Sequence, residues 1–415
     1  MKKKIFVRGP VLSQSGYGEQ ARFALRALRS RQDIFDIYVA PIPWGKTGWV
    51  WEDNEFRQWM DSRIVETQLL IQQKQMHPDI SLQVTIPNEF ERLCPVNIGY
   101  TAGIETTMVA PQWLQKGNEM DKILVVSNHA KQTYVDTTAQ ARNPQTGEVF
   151  PYKLETDVEV VWESTPRSEP EAIPGLELPT TNNMLMVSQF SVRKNFQNAL
   201  RWWVERFKDE DVGLVVKTNI AGNCRMDLEM TESTLQGILG EYQDRKCKVY
   251  LLHGDLSNGQ MTWLYNHEKI DALVNIAHGE GFGLPMFEAA REGMPIVTIG
   301  WSGQLDFLTH EGESYFEEVE STLQPIQQHA VWDGVIQADS MWAYADEASY
   351  KETLGNVIEN LDSLNERAQK LKSIIEEKFE DKTLHKLFVD NILGFDSDFL
   401  NNDDDDDDDA VLEFE

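Results

Sequence analysis

The sequence predicts an α/β protein of two doubly wound, Rossmann-like domains facing across a cleft. Three observations carry this. Short β-branched apolar runs alternate with stretches whose apolar residues recur every three to four positions, the pattern of parallel sheets covered on both faces. A proline-rich gap divides that rhythm into two halves. The length of 415 residues suits two or three domains at ~150 residues each.

In the first half, strands are expected at Lys4–Val7, Phe35–Ala40, Leu82–Ile86, Val96–Tyr100, Lys122–Ser127 and Val158–Trp162. In the second they are expected at Met184–Gln189, Val212–Lys217, Lys248–His253, Ala272–Ala277 and Pro295–Gly300. Helical spacing marks Gly18–Arg29 and Asn195–Phe207 between them. Pro166, Pro170, Pro174 and Pro179 punctuate the gap, so residues 1–165 read as one domain, 166–183 as a linker and 184–384 as the second domain. Beyond about residue 347 the pattern is helical, with Tyr350–Leu361 and Leu364–Phe379. A last segment, within 385–400, is placed to cap the second domain or to cross back to the first. Residues 401–415 hold an Asp run, whose like charges favour an extended, disordered tail. That tail reads as a solubilising extension, with a peptide handle for a protein partner as the alternative, through Ala410-Val411-Leu412-Glu413-Phe414-Glu415.

Charge narrows the partners. The chain carries −30, and still −21 without its last thirteen residues, which hold seven Asp and two Glu. Such a body repels phosphate backbones and anionic lipid heads, so nucleic acid is not an expected bulk partner. One or two local cations suffice for a single phosphorylated ligand. No apolar run approaches the ~18 residues of a membrane span, and the start lacks a signal-peptide pattern. The three cysteines, Cys94, Cys224 and Cys247, form neither a disulfide framework nor a metal motif. A cytoplasmic location and no metal site are the expectations.

The most informative stretch is His278-Gly-Glu280-Gly281-Phe282-Gly283-Leu284-Pro285-Met286-Phe287-Glu288. It leaves an expected strand and opens a helix near Pro285, where proline suits the first turn. Gly281 and Gly283 admit close approach of a ligand near a helix N-terminus, a setting that suits a diphosphate. Glu288 is placed to accept two hydroxyl hydrogen bonds, as a ribose offers, and Glu280 sits at the strand end facing the same cleft. The pattern Glu280-x7-Glu288, with Gly293-Met-Pro-Ile-Val297 and Gly303-Gln-Leu-Asp-Phe-Leu308 after it, resembles the retaining glycosyltransferases of family 4, which have the GT-B fold.

That resemblance extends upstream. Met184–Asn195 is similar to the family's first nucleotide-domain strand and its loop, where an Arg and a Lys contact the donor diphosphate. Lys194 matches the Lys; Gln189 stands at the usual Arg position, and Arg193 is the candidate substitute. Lys217 and His253-Gly254 are further donor-side candidates, each equally readable as a surface lysine and a satisfied strand-end histidine. In the first half, Gly16 and Gly18 resemble the family's N-terminal glycine loop. Glu105 stands where the acceptor approaches, and many members place a His near this point that is missing here. Trp44 and Trp49, in a segment with Trp51 and Trp59, offer indole faces for an acceptor sugar, although tryptophans more often serve core or half-buried packing, the reading preferred here.

The resemblance implies a retaining transferase. It would move a sugar from a nucleotide diphosphate sugar to an acceptor hydroxyl, with no metal and no other cofactor. Lys194 would support the leaving diphosphate, Glu280 would hold donor sugar hydroxyls and Glu288 the ribose. A nucleotide-sugar epimerase of the same fold, which needs no acceptor, and a non-catalytic sugar- or nucleotide-binding protein are the rivals. A metal-dependent transferase would need an Asp-x-Asp at a strand end, and the copy at Asp396-Ser-Asp398 lies near the tail.

Overall fold

The computed structural model describes residues 2–394 and the backbone of Glu413 and Phe414. The first half contains β1 (Lys3–Gly9), α1 (Gly16–Arg29), β2 (Phe35–Pro41), α2 (Glu55–Gln72), β3 (Ile80–Val84), β4 (Val96–Thr101), α3 (Pro111–Asn118), β5 (Lys122–Val125) and α4 (Asn128–Asp136). A hairpin of β6 (Ala139–Arg142) and β7 (Val149–Tyr152) precedes β8 (Val158–Val160). Six of these strands form a parallel sheet in the order β2-β1-β3-β4-β5-β8. Counted within the half, that is the flavodoxin-like order extended by one strand.

The second half begins with β9 (Asn182–Val187), α5 (Phe196–Phe207), β10 (Val212–Lys217), α6 (Arg225–Leu239), β11 (Lys248–Leu252) and α7 (Asn258–Tyr265). It continues with β12 (Ala272–Asn275), α8 (Leu284–Glu292), β13 (Ile296–Ile299), α9 (Leu305–Leu308), the short hairpin β14 (Thr309–His310) and β15 (Glu313–Ser314), and β16 (Glu317–Val319). A second hairpin, β17 (Ser321–Pro325) with β18 (Met341–Ala345), leads to α10 (Glu347–Glu359), α11 (Leu361–Lys378) and α12 (Asp381–Leu393). The sheet order is β11-β10-β9-β12-β13-β16, which within the half is the Rossmann order 3-2-1-4-5-6.

Local chemistry explains the elements that bear on the cleft. Ser15 caps α1, its Oγ accepting from the Gly18 amide at 3.1 Å, and Phe23, Ala24, Leu25, Ala27 and Leu28 bury one broad stripe against the first sheet. Glu19 in the first turn bonds Arg22 and Arg26, and these two cations, overcoming burial, hold its carboxyl down at about 2. Gly283, at φ +97°, turns the chain into α8, and Gly293, at φ +85°, ends it. Both conformations are cheap only for glycine.

No helix or strand interrupts residues 161–181. The two halves meet along a polar seam: Asp306 accepts from the Asn128 amide at 2.8 Å and from the Trp162 indole at 2.7 Å. The C-terminal helices span it. Helix α11 packs on α8 and α12 on α1, with Phe388 edge-on to Phe23 at 5.9 Å between centroids. Glu413 and Phe414 add a two-residue antiparallel strand beside Arg142 and Ala141 of β6. The Asp run and Asp396-Ser-Asp398 lie outside the described residues.

Candidate active site

In a doubly wound sheet the ligand crevice opens where the strand order reverses, beyond the carboxyl ends of the two central strands. In the second sheet these are β9 and β12. The loop after β9 carries Arg193 and Lys194, and the loop after β12 carries Glu280. The main-chain amide of His278 donates to the Arg193 carbonyl at 2.9 Å, which clasps the two loops together. Topology therefore joins two cations and a carboxylate that are 86 residues apart.

Lys194 Nζ donates to both oxygens of Glu280, at 2.6 and 2.5 Å. Asn275 Nδ2 adds a third bond to Glu280 at 3.1 Å, and Arg193 lies 3.8 Å away. Burial alone would raise the Glu280 carboxyl; Lys194 and then Arg193 overcome it and hold the group below its ordinary value. Burial, reinforced by Arg193, pulls the Lys194 ammonium below its own. Arg193 also reaches across the cleft to Glu105 of the first half, so Glu105 faces a cation of the opposite wall.

The glycine loop has a steric reason as well as a chemical one. A Cβ on Gly281 would lie 2.6 Å from the Ala102 carbonyl, and one on Gly279 would lie 2.6 Å from that of Glu105. The backbones of the two halves thus touch at this point, and only glycine permits it. The Ser302 hydroxyl accepts from the Glu280 amide at 2.8 Å, which fixes the loop from below.

A cleft of about 520 Å³ runs between the sheets. From the second half it is lined by Arg193, Lys194, Lys217, Glu280, Gly281, Phe282, Gly283 and Leu284, and from the first by Gly16, Tyr17, Trp44 and Glu105. Burial lowers the Lys217 ammonium, with Asp255 opposing. Gly18 lies behind the wall, where a Cβ would sit 2.0 Å from the Ser13 carbonyl; its place in the turn explains the residue. Trp44 packs on Tyr17 at 4.4 Å, whereas Trp49 is 70% exposed on the segment beyond Gly48.

His253, Gly254 and Glu288, like Gly18 and Trp49, sit away from the cleft lining. The His253 ring bonds Asp227 at 2.8 Å and is buried; the turn after it, through Gly254 at φ +93°, presents Asp255 and Leu256 to the cleft instead. Glu288 accepts from the Tyr265 hydroxyl at 3.0 Å in a small recess with Pro166 and Arg291, and burial raises its carboxyl. Asp227 is a residue that sequence reasoning missed. It accepts from the amides of Ile220, Ala221 and Gly222 at 2.7–3.0 Å and shapes the cleft wall. Gln189, at the expected Arg position, lines the cleft and donates to the Ile220 carbonyl at 2.7 Å. Tyr17, Gln20 and Glu163 also line it; they share no motif, and only the fold gathers them.

Among the described residues no three His, Cys, Asp or Glu side chains group as a metal site, and no helix is long and apolar enough to cross a membrane. No protein-family model matches the chain, and no curated protein sequence does. Solved structures do. Anabaena HepE in complex with UDP and glucose is 11% identical over 95% of this chain and 100% of its own, with a TM-score of 0.59. The E. coli trehalose-6-phosphate structure bound with UDP-2-fluoro glucose is 11% identical over 94% of this chain and 99% of its own, with a TM-score of 0.59. The sucrose-phosphate synthase of Thermosynechococcus elongatus is 12% identical over 95% and 100%, with a TM-score of 0.57. Two six-stranded parallel sheets, the strand orders around them and these neighbours together establish the GT-B fold, two Rossmann-like domains opposed across a cleft.

Proposed function

We propose that the chain is a glycosyltransferase that takes its sugar from a nucleotide diphosphate donor, on the retaining, metal-independent pattern of family 4. The observation that carries this is the convergence of Lys194, Arg193 and Glu280 at the switch point of the second sheet. Cations and a helix N-terminus suit a leaving diphosphate, and a carboxylate beside them suits sugar hydroxyls. The bound structures of the neighbours, with UDP or a UDP-sugar, agree with such a donor.

On this reading residues 184–384 bind the nucleotide sugar and residues 1–165 face the acceptor, with 166–183 between them. Lys194 shares its donors between Glu280 and the diphosphate, and so stabilises charge as the glycosidic bond to phosphate breaks. Glu280 holds donor sugar hydroxyls, Glu288 takes ribose hydroxyls from its recess, and Trp44 on Tyr17 offers a ring platform to the sugar or its acceptor. The acceptor hydroxyl is the nucleophile, and contact between the two halves at Gly279 and Gly281 keeps water from the reacting carbon. We place the reaction in the cytoplasm, consistent with three free cysteines.

The test incubates the protein with UDP-, GDP- and ADP-sugars and follows release of nucleoside diphosphate. Slow release from one donor, lost in Lys194→Ala and Glu288→Ala, is the expected result. Neither binding nor release with any donor refutes the reading.

A further inference from the structure

Two polar side chains on the first-half wall of the cleft are buried and unmatched. Gln20, on α1 one turn past Gly16 and Tyr17, is 1% exposed, and Glu163, just beyond β8, is 4% exposed. Both line the cleft. Neither amide atom of Gln20 makes a hydrogen bond of normal geometry, although the Tyr100 hydroxyl lies beside it, and Glu163 Oε2 has no protein partner. Buried polar atoms are rarely left so, because each forfeits the hydrogen bonds to water that it gave up.

The two are not loosely held. The Val161 amide donates to the Val125 carbonyl at 2.8 Å, and the Val161 carbonyl accepts from Tyr100 at 3.1 Å. On the other side, the Ser164 carbonyl accepts from Arg26 at 2.9 Å and its hydroxyl donates to Asp381 at 2.6 Å. The Thr165 carbonyl accepts from Arg291 at 2.6 Å. Glu163 is thus fixed on both flanks while its own carboxyl is left facing the cleft.

We infer that Gln20 and Glu163 form a second recognition point on the cleft wall, built for a neutral vicinal diol. A hydroxyl is donor and acceptor at once, and so are a primary amide and a protonated carboxyl. Burial raises the Glu163 carboxyl well above its ordinary value; Glu19 and Glu288 reinforce this and Arg26 opposes it, a direction that favours the neutral, protonated form. An anion finds no free cation here, since the Arg26 guanidinium is engaged by Glu19 and the Ser164 carbonyl. A cation is disfavoured by the amide N–H groups and by Arg26. This deepens, and rests on, the reading of the cleft as a sugar-nucleotide site; the diol belongs to the donor ribose or to a sugar ring, and the test separates the two.

Binding to the full chain is measured by calorimetry and ligand-observed NMR. The probes are UDP, GDP, ADP, their 2′-deoxy forms, D-glucose and D-galactose, applied to the wild type, Gln20→Met, Glu163→Leu and Glu163→Gln. Thermal unfolding of each variant establishes that it folds. One lost neutral hydrogen bond corresponds to about fivefold in affinity. Gln20→Met and Glu163→Leu should each weaken binding by about that factor, and Glu163→Gln, which keeps a donor and an acceptor, by clearly less than Glu163→Leu. Ribose is the source if the wild type prefers the ribonucleotide over its 2′-deoxy form and the variants lose that preference. A sugar ring is the source if nucleotide binding is unchanged and glucose or galactose binding falls. Sugar binding that depends on these residues, without any nucleotide binding, would sink the transferase reading and leave the diol site standing. Affinities within twofold of wild type in all variants, or no binding of any probe to the wild type, overturn the inference.

Discussion

Replacing Lys194 by Met keeps most of the side chain's apolar stem and removes its charge. The ammonium makes two bonds to Glu280, and the two side chains are 14% and 8% exposed. Removing one partner of a buried ion pair costs about 3–5 kcal/mol, because the other charge stays behind unpaired. Here Asn275 at 3.1 Å and Arg193 at 3.8 Å still face Glu280, so the lower end, about 3 kcal/mol, is expected at pH 7. The sign with pH follows from Glu280. Its folded pKa is depressed, so its stabilising contribution is present above the unfolded value of ~4.3 and is lost as pH falls through the lower folded value. The difference between wild type and Lys194→Met should therefore be large at pH 7 and shrink below about pH 4. Thermal unfolding across pH 3.5–8 measures it. The double variant Lys194→Met/Glu280→Gln should recover most of the loss, since a buried pair removed whole is nearly neutral. Nucleoside diphosphate affinity should fall about 10- to 100-fold in Lys194→Met, the size of a hydrogen bond to a charged group. Equal stability of wild type and Lys194→Met at pH 7, or a gap that does not change with pH, would refute the reasoning.

Gly281→Ala drives a methyl toward the Ala102 carbonyl 2.6 Å away and should lower both the melting temperature and nucleotide affinity. By contrast, Gly237→Ala, inside α6 with nothing within 4 Å, should stabilise by about 0.5–1 kcal/mol; thermal unfolding of both variants checks the contrast. Asp227 is held well below the ordinary carboxylate range by His253 and three amides, against burial, so its contribution is present at neutral pH and disappears only in acid. Asp227→Asn should cost about 2 kcal/mol at pH 7 and accelerate hydrogen exchange at Ile220–Gly222; unchanged exchange there would remove its role in shaping the wall. Glu163 has the opposite sign. Its raised folded pKa makes the native state hold a proton the unfolded chain releases, so stability falls as pH rises from ~4.3 through the folded value. Glu163→Gln should flatten that slope in melting temperatures recorded from pH 4.5 to 8.

The alternation of apolar runs and helical spacing was enough to place two parallel α/β halves, because burial on both sheet faces leaves a periodic trace in the chain. The Gly281–Glu288 stretch was readable for a similar reason: a strand end, two glycines and a proline at a helix start are local demands met by neighbouring residues. The hairpins β6–β7 and β17–β18 left no such trace, since all four strands are short and one of each pair, β7 and β17, buries no residue. Partnership was likewise invisible. That Glu105 faces Arg193, that His253 turns to Asp227, and that Gln20 and Glu163 meet one cleft each depends on strand order. Sequence spacing carries no information about which loops a sheet brings side by side. Helix propensity, apolar period and glycine placement are properties of neighbouring residues and can be read from the chain alone; ion pairs and buried polar mismatches arise between distant ones, and only the packed sheets decide them.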